Sequence, residues 1–147
     1  AVTSSETAPS IGDLAQVTDD DKDGADGSFV ELGPGAQWVQ IDLGGEFNIS
    51  AIDLWHYHKQ ARVYKDVIVE VSADKDFAKS TILYNNDDDN SAGKGAGKDP
   101  SYIETNHGRI VNGKGTKARY VRCWSNGNHV DDLNHYVEVE VHGVAAK

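Results

Sequence analysis

Tyr136-Val137-Glu138-Val139-Glu140-Val141-His142 decides the fold class. Valine at every second position puts Val137, Val139 and Val141 on one face and Glu138 and Glu140 on the other, which is the period of a half-buried antiparallel strand. Two upstream stretches repeat the pattern. Asp66-Val67-Ile68-Val69-Glu70-Val71-Ser72 sends Val67, Val69 and Val71 inward, and Trp38-Val39-Gln40-Ile41-Asp42-Leu43 does the same with Val39, Ile41 and Leu43. β-Branched residues dominate these segments, and they suit a pleated surface better than a crowded helix. Residues 49–55, 81–84, 102–104, 109–111 and 118–124 read as further strands. No window holds a 3.6-residue repeat over ten residues, and only single helical turns at 11–16 or 76–79 fit. About eight short strands separated by Gly, Asn and Asp predict an all-β, antiparallel two-sheet sandwich, with closure into one barrel as the alternative.

The 147 residues fit one domain, residues 1–147, able to bury its own core. Fourteen Lys and Arg against 24 Asp and Glu leave a formal net charge of −10. Such a surface repels phosphate backbones and anionic lipid, so nucleic acid and membrane are excluded as expected partners. No apolar run approaches the roughly 20 residues of a membrane span. Cys123 is the only cysteine, which rules out an internal disulfide and cysteine-rich metal sites. It lies in Arg119-Tyr120-Val121-Arg122-Cys123-Trp124, an alternating segment in which it reads as a small buried hydrophobe.

Three long polar loops, residues 18–35, 85–100 and 125–134, are where chemistry is expected. In the first, Asp19, Asp21, Asp23 and Gly24 match D-x-D-x-D-G, the opening of a calcium loop. The twelfth position is Val30 rather than Glu, so this is no EF-hand. Five carboxylates, counting Asp20 and Asp26, still crowd eight residues. The readings are a calcium site and a solvated acidic turn. In the second loop Asp87, Asp89 and Ser91 repeat the spacing more weakly, and Asn and Gly there also favour plain turns.

His56 and His58 flank Tyr57 just after a strand, with Arg62 and Tyr64 behind. On a continuing strand the two imidazoles would share a face, a spacing open to zinc. A polar rim beside aromatics and packing within a core are the other readings. The third loop runs from Trp124 to Tyr136 through Asn126, Asn128, His129, Asp131, Asp132 and His135. Rings that cover the C–H face of a pyranose, beside planar groups that bond hydroxyls, are what sugars require. No nucleophile elbow, and no Ser or Cys with a legible base, points to catalysis.

In this order, the acidic loop, Trp38-Val39-Gln40-Ile41-Asp42-Leu43-Gly44, the Val67–Asp74 segment, Ala118-Arg119-Tyr120-Val121-Arg122 and Glu138-Val139-Glu140-Val141-His142-Gly143 resemble the discoidin, or coagulation factor 5/8 type C, superfamily, including family 32-like carbohydrate-binding modules. The resemblance runs from about Ala15 to Gly143. It implies a galactose-binding-like jelly-roll sandwich. It further implies a structural calcium held by Asp19, Asp21, Asp23 and Glu138. A glycan-binding loop end would draw on His58, Arg62, Tyr64, Trp124, Asn126, Asn128 and His135. The function so implied is non-catalytic: a secreted or cell-surface module, expected to be a monomer, that joins other domains of a parent protein to a polysaccharide or oligosaccharide. The alternatives are a protein–protein or cell-adhesion domain of the same fold and a small metal-dependent hydrolase using His56 and His58. The first loop departs from the family, reading Asp19-Asp20 where Asp-Gly is usual. The 85–99 loop is longer than usual, and the apolar membrane spikes of the blood-factor members are absent.

Overall fold

The alternating segments become strands in a computed structural model that describes residues 1–25 and 27–147. Asp26, one of the five crowded carboxylates, lies outside the described residues. In chain order the elements are β1 (Val2–Ser4), a 3₁₀ helix (Leu14–Thr18), β2 (Val30–Leu32), β3 (Gln37–His56), β4 (Ile68–Ser72), β5 (Thr81–Asn85), β6 (Arg109–Ser125) and β7 (Asn134–Ala145). Strands pair antiparallel in the order β2-β7-β3-β6-β4-β5, with β1 also on β3.

Among the described residues there are seven strands: two pairs of the eight expected ones are continuous, 102–104 forms none, and β1 and β2 are additional. β3 joins the expected 38–43 and 49–55, and β6 joins 109–111 and 118–124. The join in β3 is a turn of register between Asp42 and Phe47. There Gly44 takes φ +82°, and its N–H donates to Asp42 Oδ1 at 2.8 Å. A side chain would oppose that left-handed backbone, and glycine permits it. Before the bend β3 pairs with β1, beyond it with β7, and β6 follows it throughout before adding β4. The hydrogen-bonded sheet thus wraps into the two layers of an all-β sandwich. Val39, Ile41, Ile49, Ile52, Leu54, Val69, Val71, Val121, Cys123, Tyr136 and Val139 fill the space between. Each fully buried aliphatic side chain contributes about 1.5–3 kcal/mol.

Four local expectations change. Residues 102–104 form no strand, although Glu104 N–H donates to Arg62 O at 2.8 Å. The helical turn at 11–16 starts later, where Asp13 caps Leu14–Thr18 by accepting from Ala15 N–H while Gln16 reaches back to Asp13 N–H. In β7 the register against β3 slips between Trp55↔Glu138 and His56↔Tyr136. Val137 is the extra residue of this bulge. Tyr136, not Val137, enters the core, and Val137 packs beneath Gly24 of the acidic loop. Finally, β4 is buried on both faces, because the 85–100 loop lays Lys94 over Glu70.

Candidate functional site

Beyond β3 the chain leaves the sheet, and the alternation of side chains ends with it. His56, the last residue of the strand, is fully buried, stacked on Tyr64 with ring centroids 4.5 Å apart. Its Nδ1 pairs with Glu104 Oε1 at 2.8 Å. His58 instead donates from Nε2 to Lys22 O at 2.7 Å. The two histidines therefore share neither a face nor a ligand position, which removes the basis for a His56/His58 metal pair.

Between them, Tyr57 points into a depression of about 260 Å³ at the loop end of the sandwich, lined with Phe29, Glu31, Arg62, Asp131, Leu133 and His135. Three rings meet edge-on or tilted there. Phe29 lies 5.4 Å from Tyr57 and 5.5 Å from His135, and Tyr57 lies 5.9 Å from His135. The Arg62 guanidinium sits 5.3 Å over the Tyr57 ring. It donates from Nη1 to Asp131 Oδ2 at 3.1 Å and from Nη2 to Gln60 Oε1 at 3.2 Å, and its buried Nε has no hydrogen-bond partner among the described residues. His135 bridges Tyr64 OH at Nδ1 (2.7 Å) and Glu31 Oε2 at Nε2 (3.1 Å). The phenol hydroxyl donates to Nδ1, so the neutral ring carries its proton on Nε2 and donates it to Glu31. Burial lowers the His135 pKa from its usual 6.5, against the pull of Glu31. Burial also raises Asp131, but hydrogen bonds from Leu133 N–H and Asn128 and the charges of His135 and Arg62 leave it below the usual carboxylate range.

The residues expected from sequence fall into separate groups. Arg62 and His135 line the depression. Tyr64 and Asn128 are buried behind it, Tyr64 positioning His135 and Asn128 folding the loop by donating to Asp131 and to Leu133 O. His58 belongs to the acidic loop. Trp124 and Asn126 line a different part of the molecule. The Trp124 indole N–H donates to Glu70 Oε2 at 2.6 Å, and Asn126 Nδ2 donates to Asp66 Oδ2 at 3.0 Å. The expectation that His58, Arg62 and Trp124 share one tip is thereby corrected. Trp124 lies on β6, paired with Trp38 of β3 on the outer sheet face, whereas Arg62 is on a loop. Phe29, Glu31 and Leu133 escaped sequence reading, and Tyr57 and Asp131 were noted within their segments without being placed in the site. Only Tyr57, between the two histidines, carried an aromatic signal there.

In the acidic loop, the alternating aspartates make turns. Asp19 Oδ1 accepts from Asp21 N–H and Asp21 Oδ1 from Asp23 N–H, both at 3.0 Å. Asp23 pairs with Lys59 at 2.5 Å. Glu138 arrives from β7: Oε2 accepts Asp20 N–H at 3.0 Å, while Oε1 is buried without a partner among the described residues. Burial, reinforced by the nearby Asp19, Glu140 and Asp20, pushes its pKa up to about 7, opposed by the hydrogen bond from Asp20. A buried carboxylate oxygen without a partner among the described residues fits a hard cation, which takes oxygen ligands, but Asp19, Asp21, Asp23 and Glu138 do not bring three ligand atoms within 4.8 Å of one another. Among the described residues, Asp66, Asp87 and Asp89 bring three carboxylate oxygens within 4.8 Å of one another. Those of Asp87 already accept Ser91 N–H and Ala92 N–H, and Asp66 accepts the Ser91 hydroxyl.

No family model and no curated protein matches the sequence. Solved structures do match. The family 32 carbohydrate-binding module of AlyQ, in complex with 4,5-unsaturated mannuronic acid, has TM-score 0.70 and 19% identity, covering 97% of this chain and 93% of that one. The chitosan-binding module 1 from a chitosanase/glucanase of Paenibacillus sp. IK-5 has TM-score 0.62 and 18% identity, covering 97% and 94%. A family 89 glycoside hydrolase from Clostridium perfringens has TM-score 0.72 and 18% identity over 99% of this chain but only 14% of its own. At these identities the likeness carries the architecture: this chain has the galactose-binding-like β-sandwich fold seen in family 32 and other carbohydrate-binding modules.

Proposed function

We propose that this chain is a non-catalytic glycan-binding module that holds a larger secreted or cell-surface protein against a polysaccharide. The observation that carries this is the convergence of Phe29, Tyr57, Arg62, Asp131, Glu31 and His135 on one shallow depression. Phe29 and Tyr57 supply ring surface for the C–H face of a pyranose. Arg62 donates to hydroxyl oxygens through the Nη hydrogens its pairings leave free, Asp131 and Glu31 accept from hydroxyl hydrogens, and His135, whose one N–H is given to Glu31, holds that acceptor in place. All four polar groups are already paired with one another or with backbone, so they are held in place before a sugar arrives, which lowers the ordering cost of binding. A depression of this size engages one or a few sugar rings. Single-site affinity is therefore expected at about millimolar to micromolar Kd, with avidity gained when modules are repeated along a parent chain. The family 89 hydrolase, of which the matched part is 14%, is one protein with such a fold inside a larger enzyme.

Calcium is the second part of the reading. Glu138 and Asp19, with Asp21, would hold it, and the ion would supply the positive charge that buried Glu138 lacks while tying the acidic loop to β7. Asp23, engaged by Lys59, is the outlier of the expected set.

Isothermal titration in 2 mM calcium, against galactose, N-acetylglucosamine, fucose and uronate oligosaccharides, tests the module. At least one should bind, and Arg62→Ala should weaken it about tenfold or more while leaving the folded state intact by circular dichroism. Silence toward the whole set overturns the reading.

A further inference from the structure

On the outer face of β3 and β6 a second depression, of about 400 Å³, lies among Trp38, Gln40, Asp42, Lys75, Tyr120 and Arg122. Register explains why these side chains meet. Trp38 stands opposite Trp124, Gln40 opposite Arg122 and Asp42 opposite Tyr120, all on the face away from the core residues Val39, Ile41, Val121 and Cys123. The floor is fixed rather than mobile. The Arg122 guanidinium is sandwiched between the Trp38 ring at 4.0 Å and the Phe77 ring at 4.2 Å. It donates from Nε and Nη2 to Gln40 Oε1 at 3.0 and 2.6 Å, and Gln40 donates in turn to Lys75 O at 3.1 Å. Phe77 takes φ +55°, a left-handed backbone that a bulky residue resists, and it does so with its ring buried against Arg122.

The ligand chemistry follows from the lining. Trp38 and Tyr120, half-exposed, are wide apolar rings on an open sheet, the surface that stacks on pyranose C–H groups. Arg122 Nη1 makes no hydrogen bond to the described residues and, with the exposed Lys75 ammonium, offers free donors. Asp76 offers an acceptor, while Asp42 is already held by Arg119 at 2.8 and 3.1 Å. With that pair set aside, Lys75 and Arg122 face Asp76 and no block of one sign lines the rings, so ring surface rather than charge decides for an uncharged chain. The volume is within the about 300–1,000 Å³ of small-ligand sites, and the open sheet suits the interior of a chain where the loop-end site suits one or a few rings. We propose that this sheet face is a second glycan site, separate from the loop end, that takes an internal segment of a neutral polysaccharide.

The test is affinity electrophoresis of the whole chain through gels holding galactan, galactomannan, xyloglucan or mixed-linkage β-glucan, in 2 mM calcium, beside nitrogen-15 spectra that follow the indole N–H groups of Trp38 and Trp124. At least one polysaccharide should slow the wild type and shift the Trp38 indole signal. Trp38→Ala should lose at least tenfold in affinity, Trp38→Tyr should stay within about threefold, and Lys75→Ala, an exposed change that cannot unfold the chain, should weaken retardation about two- to fivefold. Arg62→Ala removes any loop-end contribution and should leave the Trp38 shift, with the part of the retardation that Trp38→Ala removes. Four results overturn the proposal: no retardation by any of the four, retardation abolished by Arg62→Ala, retardation unchanged by both Trp38→Ala and Lys75→Ala, or retardation with an unmoved Trp38 signal. Binding of small sugars with movement confined to Arg62 and His135 would leave the loop-end reading standing while this one fails.

Discussion

His135 shows how one side chain is set by its neighbours. Buried between Tyr64 and Glu31, it resists protonation, so its native pKa lies below the 6.5 of the unfolded chain. The sign follows: above 6.5 both states hold it neutral, and as pH falls below 6.5 toward the native value the unfolded state takes up a proton that the native state refuses, so stability is lost. Urea unfolding of the wild type and of His135→Gln at pH 7.5, 6.5 and 5.5 should show a falling difference that the variant lacks. Equal slopes would mean that the imidazole is not held neutral. Cys123 is a simpler case. Its thiol is fully buried and its pKa is pushed up to about 12 by burial, with a smaller push from Glu70. A thiol reagent such as dithionitrobenzoate should not label the native protein within an hour at pH 8 and should label it at once in guanidinium. Its place was legible from alternation alone. The same alternation puts Trp124 on the face away from Cys123, but its place opposite Trp38 was not legible, because the chain gives no sign of which strand lies beside β6.

Strand existence was read correctly from the valines of β4 and β7 and from Val39 and Ile41 of β3, since period two follows directly from the pleat. What alternation could not convey is where the period slips. Ile49 and Ile52 are both in the core despite their odd spacing, because the register of β3 against β6 and β7 shifts between Ile49 and Ala51. Val137 leaves the core for the same kind of reason. The loop at 85–100 was expected as a turn or a weak metal loop. Its folding rests on Asp87, fully buried, whose carboxylate accepts from Ser91 N–H and Ala92 N–H while the Ser91 hydroxyl turns to Asp66. Asp87→Ala removes two charge-assisted acceptor bonds and leaves Ala92 N–H without its partner, so it should cost about 2 kcal/mol. Hydrogen exchange should rise across residues 85–100 and Tm should fall by roughly 6 °C. A change of less than about 1 °C would show that the loop is not pinned through this residue.

At the scale of the whole molecule, the acidic loop and β7 are far apart in sequence and joined in space through Glu138. The net charge of −10 makes that join costly. Glu138 is buried, its Oε1 unpartnered, with Asp19, Asp20 and Glu140 close enough to raise its pKa to about 7. Above pH 7 it is charged with only the Asp20 N–H and the more distant Lys22 ammonium to offset the surrounding carboxylates, and a cation binding only the folded state would relieve this by mass action. Chelation should therefore lower Tm at pH 8, by an amount that grows with the calcium concentration from which it is measured. The replacement Glu138→Gln keeps the oxygen that accepts Asp20 N–H and removes the charge, which gives opposite signs in the two conditions. In chelator at pH 8 the variant should be more stable than wild type, because a buried uncompensated carboxylate is gone. In millimolar calcium it should be less stable, because a ligand is gone. The wild type in chelator should also lose stability as pH rises from 4.5, its unfolded value, through about 7, since the native state must then give up a proton that the unfolded chain has already lost. Calcium should flatten that fall. Were Glu138→Gln to weaken the protein equally with and without calcium, this carboxylate would be a packing group with no ion in its keeping, and the acidic loop would owe its shape to its own turns and to Lys59 alone.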